Sequence, residues 1–99
     1  MNLLAELINF AREALSHYGG RAQTAKAMEE CDELGRALTS WAQAGRPPAG
    51  TRGHSEVIDE IADVLIMAHQ MRELFGAEAV DERIQFKIDR QRGRMLGDA

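Results

Sequence analysis

The residues of this chain best equipped for chemistry are acidic, and their angular position matters more than their number. At roughly 100° per residue, Gln23, Lys26, Glu30, Glu33 and Ala37 form one line on a helix, within about 80° of arc. Glu56, Glu60, Asp63, Met67 and Gln70 form a matching line on a second helix, whereas Glu29, Asp32, Arg36, Asp59 and Glu73 point elsewhere. Each line borders an apolar stripe. If the two helices pack antiparallel across the segment between them, Glu30 and Glu33 face Glu60 and Asp63 at the edge of the buried seam.

Four such carboxylates repel one another and lose solvation, so they raise their own pKa values unless a cation sits among them. A hard divalent ion resolves the conflict. Mg²⁺ prefers oxygen ligands in octahedral geometry and keeps positions open for water or phosphate, which suits a site without His or Cys. Mn²⁺ is the expected substitute. Lys26, one turn before Glu30, either holds a phosphate or pairs with Glu30 or Glu33 as an ordinary surface lysine. No Ser, Cys and His arrangement suggests a covalent mechanism.

The elements that must position these groups are all helical, because apolar residues recur at spacings of three and four and nothing alternates with period two. Leu3, Leu4, Leu7, Ile8, Ala11, Ala14 and Leu15 predict a first helix over 3–18, stopped at Gly19-Gly20. A second over 22–44 places Ala27, Met28, Cys31, Leu34, Gly35, Leu38 and Trp41 on one broad face, with Cys31 in the core and Gly35 at a close helix contact. Residues 45–54 read as a turn-rich loop, and Ser55 as the N-cap of a third helix over 56–75. That helix carries Val57, Ile61, Val64, Leu65, Ala68, Met71 and Phe75 on its apolar face. A fourth over 78–92, with Val80, Ile84 and Ile88 in a single stripe among many charges, belongs on the outside.

Ninety-nine residues make a single domain spanning 1–99 with a thin core, so a partner subunit is expected to complete the bundle. Twelve Lys and Arg against sixteen Asp and Glu give a net charge of -4 and a pI near 5.3. That balance argues against a protein that coats nucleic acid, where a pI above about 9 is usual. No stretch approaches the roughly 18 apolar residues of a membrane span. Met1-Asn2-Leu3-Leu4 lacks a basic leader and Glu6 interrupts the apolar run, so no secretory signal is expected. With Cys31 as the one cysteine, the expected compartment is a reducing cytoplasm.

Glu29-Glu30-Cys31-Asp32-Glu33, followed after a loop by Glu60-Ile61-Ala62-Asp63, resembles the EExxE…ExxD signature of MazG-like nucleotide pyrophosphohydrolases, which belong to the all-α NTP pyrophosphatases. The likeness takes in Gln23-Thr24-Ala25-Lys26-Ala27-Met28-Glu29-Glu30, similar to that family's Q-x-x-K-x-x-E-E helix, and most of residues 21–94. It implies a four-helix protomer in a homodimer or dimer of dimers. It also implies Mg²⁺-dependent cleavage of a nucleoside triphosphate between its α and β phosphates, to the monophosphate and pyrophosphate. Glu30, Glu33, Glu60 and Asp63 would match the metal ligands, with Glu29 in a supporting role.

Lys87, Arg90, Gln91 and Arg94 are spaced as a basic stripe that could reach the triphosphate, although cations near a helix C-terminus also favour the helix dipole without any ligand. Two positions depart from the family: many relatives carry Asn where Gln91 stands and an aromatic where Met67 stands. Trp41 either stacks on a base or packs in the core. His17, Tyr18 and His54 lie near helix ends, where solvent or capping roles are expected. The base is left open: dUTP, dCTP, a modified nucleotide and unselective use of all NTPs fit equally. Phosphoribosyl-ATP pyrophosphohydrolase is a close enzymatic variant, and a non-catalytic helical dimerisation or regulatory module is the contrasting class. A ferritin-like di-iron site fails, because Ala14, Thr51 and Ile66 stand three residues before the histidines. The basic residues are too dispersed for a helix-turn-helix DNA reader.

Overall fold

The computed structural model describes residues 2–97 and consists, among these, of four helices and no strand: α1 (Leu3–Tyr18), α2 (Gly20–Gln43), α3 (Arg52–Phe75) and α4 (Ala77–Gly97). None is long and apolar enough to cross a membrane. The bounds of α1 match the apolar spacing. Its start is fixed by Asn2, whose Oδ1 accepts a hydrogen bond from the Ala5 N–H at 2.8 Å.

Two single-residue elbows set the path. Gly19, at φ 88° and ψ 155°, ends α1 by donating its N–H to the Leu15 carbonyl and opens α2 by accepting from the Gln23 N–H. That backbone conformation is essentially restricted to glycine. Gly76, at φ 117°, does the same between α3 and α4. The longer turn between α2 and α3 is pinned by Trp41, whose indole N–H donates to the Pro47 carbonyl at 2.9 Å.

The helix limits differ from the sequence expectation at several ends. α3 begins at Arg52 with Thr51 as its N-cap, four residues before the expected start, so Ser55 lies inside the helix. α2 starts at Gly20, because the Gly19 elbow lets the helix begin at once. α4 runs on to Gly97, since Gly93 in an exposed helix is a modest local cost rather than a stop.

α2 and α3 pack most extensively, followed by α1 on α3, while α4 touches only α3. Gln23 bonds to Gln70, Glu30 meets Asp63, and Trp41 shares a small pocket with His54, so α2 and α3 run antiparallel. The inward faces are rotated from those the apolar stripes suggest. What is buried is Gln23, Ala27 and Glu30 of α2 and Met67 and Gln70 of α3, together with Ala11 and Ala14 of α1. These residues belong to, or adjoin, the acidic lines. The apolar stripe residues Met28, Leu38, Ile61 and Leu65, with neighbouring Ile58, are open to solvent. Two expectations fall with this rotation. Cys31 is exposed rather than in the core, and a Cβ on Gly35 would meet nothing within 4 Å, so no helix approaches it. The close glycine contact is instead at Gly20, where a Cβ would lie 3.0 Å from Leu74 Cδ1.

α4 stands on the outside, as its charge pattern suggested, with no buried residue. Arg72 of α3 holds its first turns by a two-pronged ion pair to Asp81, at 2.8 and 2.6 Å. Arg72 also contacts Glu73, which reaches Arg12 of α1 at 3.3 Å, so one chain of charges ties three helices. The chain is open for its size. Its radius of gyration is 16.3 Å, against about 13 Å for a compact domain of this length.

Candidate metal centre and adjoining cavity

Two consecutive turns of α2 and one turn of α3 bring the acidic lines together. Glu30, Glu60 and Asp63 each place a carboxylate oxygen within 4.8 Å of the others. Their environments are graded: Glu30 is 6% exposed, Glu60 is half-buried and Asp63 is open. Glu30 Oε1 accepts from Lys26 Nζ at 3.0 Å, and the same ammonium lies 3.8 Å from Glu29. The hydrogen bond to Glu30, supported by the charges of Glu29 and Glu30, raises the Lys26 pKa above its usual value. Glu29 itself is exposed, consistent with its position off the line.

Glu33 lies beside this trio, half-buried. The charge of Glu30 is the main cause holding its carboxyl above the usual range, followed by burial and the charges of Glu60 and Glu29. Glu60 is raised too, first by burial and then by the charges of Asp63, Glu30 and Asp59. Glu33 thus senses Glu30 and Glu60, and Glu60 senses Asp63 and Glu30.

Glu30 Oε2 and Glu60 Oε2 are buried with no hydrogen-bond partner. Buried acceptors are rarely left so, and a pair of them on adjacent carboxylates has the chemistry of a cation's ligand set. Oxygens around a bound Mg²⁺ lie about 3 to 4.2 Å apart, so small side-chain rotations would close this cluster on such an ion. The donor set is all oxygen, and the ion's charge would offset the burial and mutual repulsion that raise Glu33 and Glu60.

A cavity of about 480 Å³ opens directly from the cluster toward α1. Glu30, Asp63 and Lys26 form its charged end, Gln23 and Gln70 lie buried with Ala14 and Met67 in its lining, and Phe10 and Tyr18 of α1 are its exposed residues. Met67 also lines it, at the position where the resembled family carries an aromatic. The periodicity placed Gln23 and Gln70 on the two lines but gave them no role; Phe10 and Tyr18 sit on α1, whose angle to α2 and α3 no spacing encodes.

The other residues singled out in the sequence lie elsewhere. Trp41 lines a separate apolar pocket with Leu38, His54, Val57, Ile58 and Ile61. Its indole N–H is engaged by Pro47. Lys87, Arg90, Gln91 and Arg94 are all exposed on α4, and none lines the cavity beside the carboxylates. Arg90 lies over the Phe86 ring of its own helix at 5.7 Å. Comparison of the chain with protein-family models, curated proteins and solved structures found no match.

Proposed function

We propose that the chain is a MazG-like, Mg²⁺-dependent pyrophosphohydrolase that cleaves a (deoxy)nucleoside triphosphate between the α and β phosphates. The observation that carries this reading is the pair of orphaned oxygens on Glu30 and Glu60 inside a cluster completed by Asp63. A carboxylate cluster that raises its own pKa values is costly without a cation, and a divalent ion with open positions is the usual partner of polyphosphate. Glu30, Glu60 and Asp63 would hold it, with Glu33 at their side. The ion, Mg²⁺ or Mn²⁺, supplies charge neutralisation and a water made nucleophilic at neutral pH.

The chain's own groups do the rest. Water attacks at the α–β anhydride, the bridging P–O bond breaks, pyrophosphate leaves, and a cluster carboxylate takes the proton the water gives up. Lys26, already directed at Glu30, orients that carboxylate and offers a cation to phosphate.

The protomer's shape favours assembly into a homodimer or dimer of dimers. The chain exposes 7392 Å², whereas a compact protein of this mass exposes about 5,600 Å². The excess is of the size an obligate interface covers, and Leu38, Ile58, Ile61 and Leu65 form the apolar surface to be covered.

The test is a nucleotide panel with Mg²⁺ that resolves monophosphate plus pyrophosphate from diphosphate plus phosphate, with Glu30→Gln as control. Pyrophosphate release that the variant loses supports the proposal. Folded protein that releases none from any nucleotide, phosphoribosyl-ATP included, overturns it in favour of a non-catalytic helical module.

A further inference from the structure

Helix α4 carries a face that neither the carboxylate cluster nor the packing of the chain uses. Five of the chain's twelve cations, Arg83, Lys87, Arg90, Arg92 and Arg94, fall within residues 83–94, against one carboxylate, Asp89. At roughly 100° per residue, Arg83, Lys87, Arg90 and Arg94 share about 60° of arc, with Phe86 at its edge and no acidic residue between. All of these side chains are exposed. Among the described residues none of the four cations enters an ion pair, whereas Arg12, Lys26, Arg52 and Arg72 each do.

Helix stability does not account for this row. Like charges three and four residues apart destabilise a helix. The dipole favours cations only within the last turn, whereas Arg83, Lys87 and Arg90 lie before it in a helix that ends at Gly97. Steps of four, three and four residues put the cations about 5.5 Å apart along the axis on average. That is close to the separation of successive phosphates in a strand of C3′-endo ribose, and short of that in a deoxyribose strand.

Phe86 adds a second feature. Its ring is 51% exposed and lies 4.6 Å from the Arg83 Cζ and 5.7 Å from that of Arg90. A half-open ring among guanidinia suits an unpaired base, which stacks there while the cations take the flanking phosphates. Gln91, on the flank beside Lys87, has an amide oxygen to accept from a ribose 2′-OH. An anionic bilayer fits less well. Ile84, Ile88 and Met95 lie about 180° from Phe86, so a helix resting on lipid by that apolar stripe turns its aromatic to water. The chain's net charge of -4 keeps contact with a polyanion weak and local to α4.

We propose that the 83–94 face of α4 binds single-stranded RNA, with Phe86 stacking on one base and Arg83, Lys87, Arg90 and Arg94 each meeting a phosphate. This surface is separate from the carboxylate cluster and does not depend on nucleotide hydrolysis.

Fluorescence anisotropy of a short, unstructured, labelled RNA tests this, with EDTA present so that no cation bridges the strand to the carboxylates. Four phosphate contacts predict a slope of ~2.8 for log Kd against log salt, a loss of about fifty-fold between 50 and 200 mM. Arg83→Gln combined with Arg90→Gln should halve that slope. Phe86→Ala should weaken binding at least about fivefold and leave the slope unchanged. Circular dichroism checks that each variant folds; if either does not, Lys87→Gln alone should still lower the slope by about a quarter. DNA of the same sequence should bind several-fold more weakly. Absence of salt-dependent RNA binding overturns the inference, as does full affinity in Phe86→Ala or equal affinity for DNA. Binding to phosphatidylserine vesicles in place of RNA overturns it in favour of a membrane surface. Displacement of RNA by an equimolar nucleoside triphosphate overturns it by giving the row to the small nucleotide. None of these results touches the pyrophosphohydrolase reading, whose own test is pyrophosphate release.

Discussion

Glu30→Gln separates a cation site from an ordinary acidic surface by its effect on stability, independently of any substrate. Glu30 is 6% exposed, with Oε1 on Lys26 and Oε2 unpartnered. A buried unsatisfied acceptor costs about 1–3 kcal/mol, and more when charged. The amide replaces one oxygen with a donor that faces Glu60 and Asp63, whose oxygens lie within 4.8 Å. Lys26 loses an ionic partner but is half exposed, so that loss is small. In EDTA the variant should therefore be more stable by about 1–3 kcal/mol, a rise in Tm on the order of 10 °C for a domain of this size. Added cation should reverse the order. At a hundredfold excess over Kd the wild type gains about 2.7 kcal/mol, while the variant, short of one ligand charge, gains little. Calorimetric melting in EDTA and across a Mg²⁺ and Mn²⁺ series measures both effects. A variant less stable than wild type in EDTA, with an undiminished response to cation, would refute the reasoning.

The raised pKa values of Glu33 and Glu60 make the cation-free protein bind more protons folded than unfolded, above the ordinary glutamate value of 4.5. Stability in EDTA should accordingly rise as pH falls from neutrality toward the folded pKa range, and saturating Mg²⁺ should flatten that slope in pH-dependent melting. Asp81, lowered by Arg72, acts in a lower window: its contribution is complete above 3.8 and disappears as pH falls through its depressed folded value. Gly19→Ala should destabilise by about 1–3 kcal/mol, read by denaturant unfolding, because the elbow's backbone conformation excludes a Cβ. A neutral result would remove the argument that this elbow fixes the α1–α2 angle. Leu65→Asp should shift sedimentation from oligomer to monomer, since Leu65 is 50% exposed in the isolated protomer. A wild type that sediments as a monomer would refute the assembly reading outright.

The sequence by itself determined the helices and the acidic lines. Spacing at three and four residues fixes which side chains share a helical face, so α1 emerged at 3–18 and Glu30, Glu33, Glu60 and Asp63 emerged as facing sets. That information is local and needs only the helix's own geometry. Tertiary structure decided the rotation of each helix about its axis. Hydrophobicity pointed the Leu38 and Leu65 stripes inward, yet the packing of α1, α2 and α3 together buries Gln23, Glu30, Met67 and Gln70 instead. The stripe that a single chain leaves open carries no mark of whether its cover is intramolecular, so spacing alone puts Cys31 and Gly35 in contacts they do not make. The Gln23–Gln70 bond and the cavity beneath Phe10 and Tyr18 depend on the register of α2 against α3 and on the Gly19 elbow. Register is set by the summed packing of residues far apart in the chain, a quantity no local spacing contains.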